Sequence, residues 1–359
     1  MSYSIKKIST TEELHDDWDK LAHCYYLKRE FLAHLQVNNY CNQSYYQLLN
    51  DGKLLAGTIV YTVKTNLLTF LNVPTPVSFR VIGLPVSIAS EPFVGERNFL
   101  DPLIKEILVQ EKGLILGLNF THFHLPGKVV SMRTLPTMVL RLKAEDMPAY
   151  QRSLRHPYRR RLKRIAGKFK DVEQVTTSCS EFNETHYRLY LDVMKTSTTK
   201  LETLGVDAFR FLPEKFRLTT FYAGNEMLFW HILLPDVNRL YYFMCGINYK
   251  IRGQYEAYHN SLFSIIRTAM QTGYQIVDLG QTAEVAKVRV GAVPDERLMF
   301  MYHKNPLLFF IIRLCRNLIA YSSKPPVALV FKTEGQCIKE HGTEEHDLLR
   351  DKMQHQYTN

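Results

Sequence analysis

Two stretches of this 359-residue chain run through the same series of elements, and that repetition restricts the fold more than any single motif. In the first, YYQLLNDGKLLAGTIVYTVKTNLLTFL holds two apolar-rich runs joined at Asp51-Gly52, a strong hairpin signal. SFRVIGLPVSIA follows as a strand, Leu100 to Gln110 has helical spacing, and Lys112-Gly113 ends that helix before the buried-looking strand LILGLNF. In the second, FRLTTFYAGNEMLFWHILLP is again a hairpin, turning at Gly224-Asn225, and LYYFMCGI is a strand. Tyr258 to Met270 reads as a helix with apolar positions at Leu262, Phe263, Ile266 and Ala269; Thr272-Gly273 ends it before YQIVDLG. Hairpin, strand, helix, glycine and strand thus recur after roughly 165 residues, far beyond a solenoid period. The order predicts a duplicated α/β module, and the length agrees at ~150 residues per domain. The expected division is 1–145 and 146–303 for the two modules, 304–333 for an apolar helix and extension, and 334–359 for a polar tail. An amphipathic helix around Glu12 to Ala22 is expected ahead of the first hairpin.

Charge is concentrated as sharply as the elements are ordered. Lys plus Arg total 45 against 35 Asp plus Glu, a formal charge of +10. Nine of those cations and no acid lie between Arg152 and Lys170, which leaves the rest of the chain nearly neutral. Pro157 fits a first helical turn, with Tyr158, Leu162 and Ile165 at i, i+4 and i+7 as an inward stripe. That stripe leaves Arg159, Arg160, Arg161, Lys163 and Arg164 for solvent or a ligand, and Gly167 ends the helix. Such a face is either solvated or meets an anion: substrate phosphates, an acidic carrier protein, transfer RNA or anionic lipid headgroups. Arg155, Tyr158, Arg159, Arg160 and Lys163 are its candidate anion-binding residues.

Several classes are excluded. The six cysteines are scattered with no C-x-x-C pair, which removes zinc ribbons and disulfide frameworks and implies free thiols in a reducing cytoplasm. The N-terminus lacks an apolar signal region, so a cytoplasmic location is expected. From Pro306 to Tyr321 the sequence PLLFFIIRLCRNLIAY has an unbroken apolar run only from Leu307 to Ile312, well short of the ~20 residues of a spanning helix. Asn305 as cap and Pro306 open a helix there, with Arg313 and Arg316 on one polar face. Two readings stand: a helix docked on the body, or a peripheral membrane contact. His122 and His124 would share one side of a strand but have no third ligand. His341, Glu344, Glu345 and His346 in the tail read more simply as a solvated terminus, so no metal is expected.

There is no P-loop, G-x-G-x-x-G, G-x-S-x-G or H-E-x-x-H. The informative segment is Gly246 to Ala292, GINYKIRGQYEAYHNSLFSIIRTAMQTGYQIVDLGQTAEVAKVRVGA. A short loop with Gly253 leads into a helix whose first N–H groups form a natural anion site. QIVDL delivers Asp278 to a strand end, Gly280 lets the chain turn, and Gly291 marks another tight position. Lys287 and Arg289, two apart, would point to one side of an extended stretch. Cations and backbone donors beside a strand end suit a phosphate-bearing ligand or a developing oxyanion. Glu256 and Tyr258 at the helix start are possible proton relays, although Glu256 equally suits a first helical turn. Asp278 is either an amine-orienting carboxylate or a strand-end turn acid, and Lys287 either an oxyanion donor or a surface lysine.

From Leu135 to Ala292 the chain resembles the acyltransferase half of GNAT-fold proteins, specifically the tandem-GNAT group that includes FemAB-type peptidyltransferases. The resemblance rests on the basic LPTMVLRL…SLRHPYRRRLKRI entry, the hairpin-strand core, and the helix and strand before DLGQTAEVAKVRVGA. It implies an α/β (α+β) fold of two tandem modules, each a mixed, mostly antiparallel sheet flanked by helices. It also implies an N-acyltransferase moving an acyl group from a thioester, acyl-CoA or acyl carrier protein, to an amine acceptor, with no permanently bound cofactor. FemAB-like transfer from aminoacyl-tRNA is the alternative within the group, and a non-catalytic binder of nucleic acid or anionic membrane the alternative outside it. An ordinary GNAT holds coenzyme A with Q/R-x-x-G-x-G/A; here Lys250-Ile251-Arg252-Gly253-Gln254-Tyr255 has Lys first and Tyr last. The resemblance makes Lys250, Arg252, Gly253, Gln254 and Arg289 the donor-binding residues. Lys287 matches the lysine that stabilises the carbonyl oxygen, with Ala286 in place of the family's aromatic neighbour.

Overall fold

The protein is described from a computed structural model, covering residues 3–39, 41–66, 76–86, 88–197, 202–323 and 327–332. The polar tail, its histidine–glutamate group and Cys337 lie outside the described residues. Among the described residues thirteen strands form one sheet: β1 (Ser4–Ile8), β2 (Ser44–Asn50), β3 (Lys53–Asn66), β4 (Pro76–Ile82), β5 (Phe93–Gly95), β6 (Leu114–Phe120), β7 (Val130–Arg141), β8 (Val172–Ser178), β9 (Arg217–Ala223), β10 (Glu226–Asp236), β11 (Arg239–Ile247), β12 (Ile276–Asp278) and β13 (Val293–Tyr302). Their order is β1-β2-β3-β4-β6-β13-β7-β12-β11-β10-β9-β8, with β5 beside β3.

Each half repeats one scheme. Four antiparallel strands, β1 to β4, are followed by the helix Leu100–Gln110 and by β6, parallel to β4. Strands β8 to β11 are followed by the helix Ala257–Gln271 and by β12, parallel to β11. Both hairpin turns expected from sequence are present: Asp51 and Gly52 have φ 48° and 78°, and Gly224 has φ 56°. The sheet is closed by an exchange. Strand β7, from the first 145 residues, pairs with β12, while β13, at the end of the second module, pairs with β6. The two exchanged strands pair antiparallel with each other, and Val139 lies opposite both Asp278 and Val293.

The core enforces this closure. One cluster joins Trp18, Phe31 and Tyr45 of the first half to Phe182, Phe216 and Trp230 of the second. On the opposite face of the second half, Leu140 of β7 packs with Leu162, Ile165, Leu262, Ile266 and Val288. Phe300 of β13 is fully buried beside Phe120 and Phe123, and pairs with Gly117, where a Cβ would sit 2.2 Å from its ring. Only glycine admits that ring.

Three local expectations are corrected. Residues 12–22 form a 3-10 turn at Thr11–Glu13 and a four-residue helix at Trp18–Leu21 instead of one amphipathic helix; the long helix lies at Arg29–Asn38. His122 and His124 fall in the exposed loop after β6, where strand alternation does not apply, and no described residues form a metal-holding group of three. Residues 284–288 are helical, so Lys287 and Arg289 are not on an extended stretch.

Candidate active site

Strands β11 and β12 pair only over Arg239–Tyr241 and Ile276–Asp278. Beyond that point β11 runs on to Ile247 paired with β10 alone, and a bulge bends it: Ile232 faces Met244 while Leu233 faces Tyr242, which leaves Phe243 extra. The end of β12 is fixed by Asp278. Its buried carboxylate accepts from Thr137 Oγ1 at 2.7 Å, the Gly280 N–H at 2.9 Å and Arg239 at 3.3 Å. Asp278 is thereby fully occupied as a turn-forming acid. The turn that follows is strained, with φ 70° at Gly280, 64° at Thr282 and 49° at Ala283. For Thr and Ala such angles cost about 1–3 kcal/mol each, and they cluster where function needs a particular backbone.

That turn launches the helix Glu284–Val288 and aims Lys287 back at itself. The Lys287 amine donates to the carbonyls of Gly280 at 3.0 Å and Gln281 at 2.6 Å, and the residue is 2% exposed. Burial pulls its pKa down from 10.5 to about 7, with Asp278, Cys245 and Glu284 resisting. An ammonium with two N–H groups committed has a third to give; the neutral amine has none, but keeps a lone pair. Cys245 of β11 and Tyr258 of the helix Ala257–Gln271 pack against one core cluster, and burial pushes both groups' pKa values up. Arg289 is exposed, because two helical positions apart is nearly the opposite side.

The expected loop at Gly253 is a helical turn, Arg252–Tyr255, followed by Glu256 at φ 48°. The Arg252 and Gln254 N–H groups donate to the Asn248 and Ile251 carbonyls, so two donors of the anticipated phosphate cradle are used by the chain itself. Glu256 sits among His259 at 3.5 Å, Arg164 at 3.6 Å and Lys168 at 3.8 Å, held as an ion-pair acid. Lys250, Arg252 and Gln254 are exposed, with Arg252 4.3 Å over the Tyr249 ring.

The basic helix, His156–Gly167, packs against this corner: Leu162 and Ile165 are buried, Tyr158 half-buried, and Asn260 donates to the Ile165 carbonyl. Among the described residues, only Arg164 and Lys168 of the nine clustered cations form ion pairs, both with Glu256. Arg155 is the helix N-cap and donates to the Phe331 carbonyl, while, beside a half-buried Arg159, Arg160 and Lys163 face outward. Arg161 does not. It turns inward, donates to His259 Nε2 at 3.1 Å, and has a buried Nε with no acceptor. Burial and then Arg289 pull its pKa down. A partly buried guanidinium with an unanswered N–H is a candidate contact for an anion on the helix that packs against this corner. From sequence Arg161 reads only as one of the outward cations of this helix, and His259 is not singled out. Helical spacing carries the signal for Arg161, which is three residues after Tyr158 and four before Ile165.

No protein-family model matches the sequence, and no curated protein matches it. Among solved structures the chain is similar to FemX, at 12% identity and a TM-score of 0.50, over 86% of this chain and 100% of that one. It is also similar to L-PGS from Bacillus licheniformis (13% identity, TM-score 0.48, 82% and 94% of the two chains). A third is a tandem GNAT protein from the clavulanic acid biosynthesis pathway (8% identity, TM-score 0.48, 84% and 99%). The chain has the fold of FemX, with one scheme of strands and helix repeated in tandem.

Proposed function

We propose that this chain is an N-acyltransferase that moves an acyl group from a thioester to an amine. The acceptor nitrogen attacks the donor carbonyl, a C–N bond forms, the C–S bond breaks, and the proton lost by the amine ends on the departing thiolate. The charge that develops on the carbonyl oxygen is met by the third N–H of the Lys287 ammonium. The observation that carries this reading is the buried Lys287 amine, held by two carbonyls of a strained turn at the end of β12 and left with one N–H to give; Arg161, with its unanswered Nε, is the anchor proposed for the donor's anionic group. Tyr258, at the start of the helix Ala257–Gln271, is the proton relay this reading assigns; Asp278 acts by holding the turn.

The loop favours some thioesters over others. With the Arg252 and Gln254 amides occupied and the Glu256 carboxylate at the helix start, coenzyme A pyrophosphate loses its usual backbone grip. A donor carried on an acidic protein fits better, since its charge meets the outer cations. The same row, Arg155, Arg159, Arg160 and Lys163, favours aminoacyl-tRNA as the second reading, with a C–O ester bond broken instead.

The test is transfer to a mixture of amines from acyl-CoA, acyl carrier protein and aminoacyl-tRNA, each offered separately, with Lys287→Ala as control. Product from one donor, lost in the variant, is expected. A donor bound through six to ten phosphates should lose ~10³–10⁵-fold in affinity between 50 and 200 mM salt. Absence of transfer from all three refutes the reading.

A further inference from the structure

The helix Pro306–Leu314 is apolar on the side that faces the body and on the side that does not. Phe309 and Ile312 pack inward against the cluster that holds Met299 and Met301 of β13. Leu307, Phe310, Ile311 and Leu314, at i, i+3, i+4 and i+7, are 66%, 55%, 45% and 68% exposed, and Leu318 beyond them is 88% exposed. A surface helix ordinarily presents polar residues there. No helix among the described residues is long and apolar enough to cross a membrane, so the segment does not span one.

Charge selects the occupant. From Lys304 to Lys332 the sequence has five basic residues and no acidic one, and Arg313 and Arg316 are exposed beside the apolar stripe. A second copy of this chain laid symmetrically on the stripe would set those arginines against their own counterparts with no acid to answer them. A bilayer with anionic headgroups accepts the leucines and phenylalanine and supplies the counter-charge. We infer that the Pro306–Ile319 region seats the protein on an anionic lipid surface, lying in the headgroup plane.

The seat is tied to the active site through the chain. Tyr321, just after the apolar helices, donates its backbone N–H to the Arg133 carbonyl and its hydroxyl to Glu284, the first residue of the Lys287 helix. Residues 330 and 331 then hold Arg155. The docking proposal stands whether or not the acyl-transfer reading does.

The experiment is co-sedimentation of the full chain with vesicles of phosphatidylcholine alone or with 30% phosphatidylglycerol, beside measurement of its oligomeric state. Wild type should sediment with the anionic vesicles only, and a triple variant, Leu307→Ser with Leu314→Ser and Leu318→Ser, should bind about tenfold more weakly or less. Arg313→Gln with Arg316→Gln should bind more weakly while salt sensitivity falls. Because the three leucines are exposed, circular dichroism should be unchanged, and altered spectra would shift the test to the arginine variant. Failure to bind anionic vesicles, equal binding to neutral ones, or a dimer that the leucine variant dissolves each overturns the inference.

Discussion

Replacing Lys287 with Met should make the protein more stable and inactive. Its amine is buried, and its pKa falls from the ordinary 10.5 to about 7. Keeping a proton on that amine therefore costs the folded state about 5 kcal/mol, at ~1.4 kcal/mol per tenfold change in affinity. Two hydrogen bonds, to Gly280 and Gln281, offset that by about 1–3 kcal/mol together. Methionine removes the penalty and the bonds, so the variant should gain about 2–4 kcal/mol at pH 7. The folded amine holds its proton less tightly than the unfolded one. Between about pH 7 and 10.5 the unfolded chain then binds more protons, and wild-type stability rises with pH, whereas below pH 7 the full penalty stands. The variant's advantage must shrink from pH 7 to pH 9.5. Urea unfolding of both proteins at the two pH values measures it. A variant that is less stable at pH 7, or a gap indifferent to pH, would show the ammonium to be well stabilised and refute the poised-lysine reasoning.

Arg161→Ala should raise the donor KM about tenfold, the worth of one charged hydrogen bond, with kcat nearly unchanged; steady-state kinetics showing a fall in kcat alone would contradict an anchoring role. Phe300→Ala, which empties the place over Gly117, should cost about 3–5 kcal/mol by urea unfolding. Trp18 and Trp230 share one core cluster across the two halves, so their fluorescence should still report a single transition. Gly291→Ala should cost about 1–3 kcal/mol and speed tryptic cleavage near Arg155, since φ is 89° there and a Cβ would lie 2.4 Å from the Phe331 ring.

What was legible from sequence follows the range of the physics involved. Asp51-Gly52 and Gly224 mark hairpins because a turn's backbone demands are met by adjacent residues. The helix Leu100–Gln110 is readable because its buried positions Leu100, Leu103, Ile104, Ile107 and Leu108 carry the helical period. The repeat of element order was visible for the same local reasons. The strand exchange was not: LPTMVLRL in β7 is apolar enough for either half's sheet, and only its partners, more than 130 residues away, decide between them. The helix EVAKV is one turn and a half, too short for a period, and Thr282 and Ala283 give no hint of the left-handed backbone that starts it. Lys287 was therefore found by resemblance, while its burial was not.

The exchange explains why the lysine is where it is. The Asp278–Ala283 turn is the link between β12, in the second half's sheet, and the helix that hands the chain to β13, which closes the first half. Gln281 belongs to both. Its carbonyl accepts from the Lys287 amine at 2.6 Å, while its side-chain amide donates to Asn119, at the end of β6, at 3.0 Å and to the Leu135 carbonyl before it in space at 2.5 Å. Asn119 is itself in the left-handed region, at φ 64°, and donates to the Ile88 carbonyl in the loop after β4. A displacement at the open end of the first half's β4–β6 pair thus reaches the lysine through two side chains and one carbonyl. The two halves are thereby coupled at this turn, because neither half's share of the sheet is complete without a strand from the other.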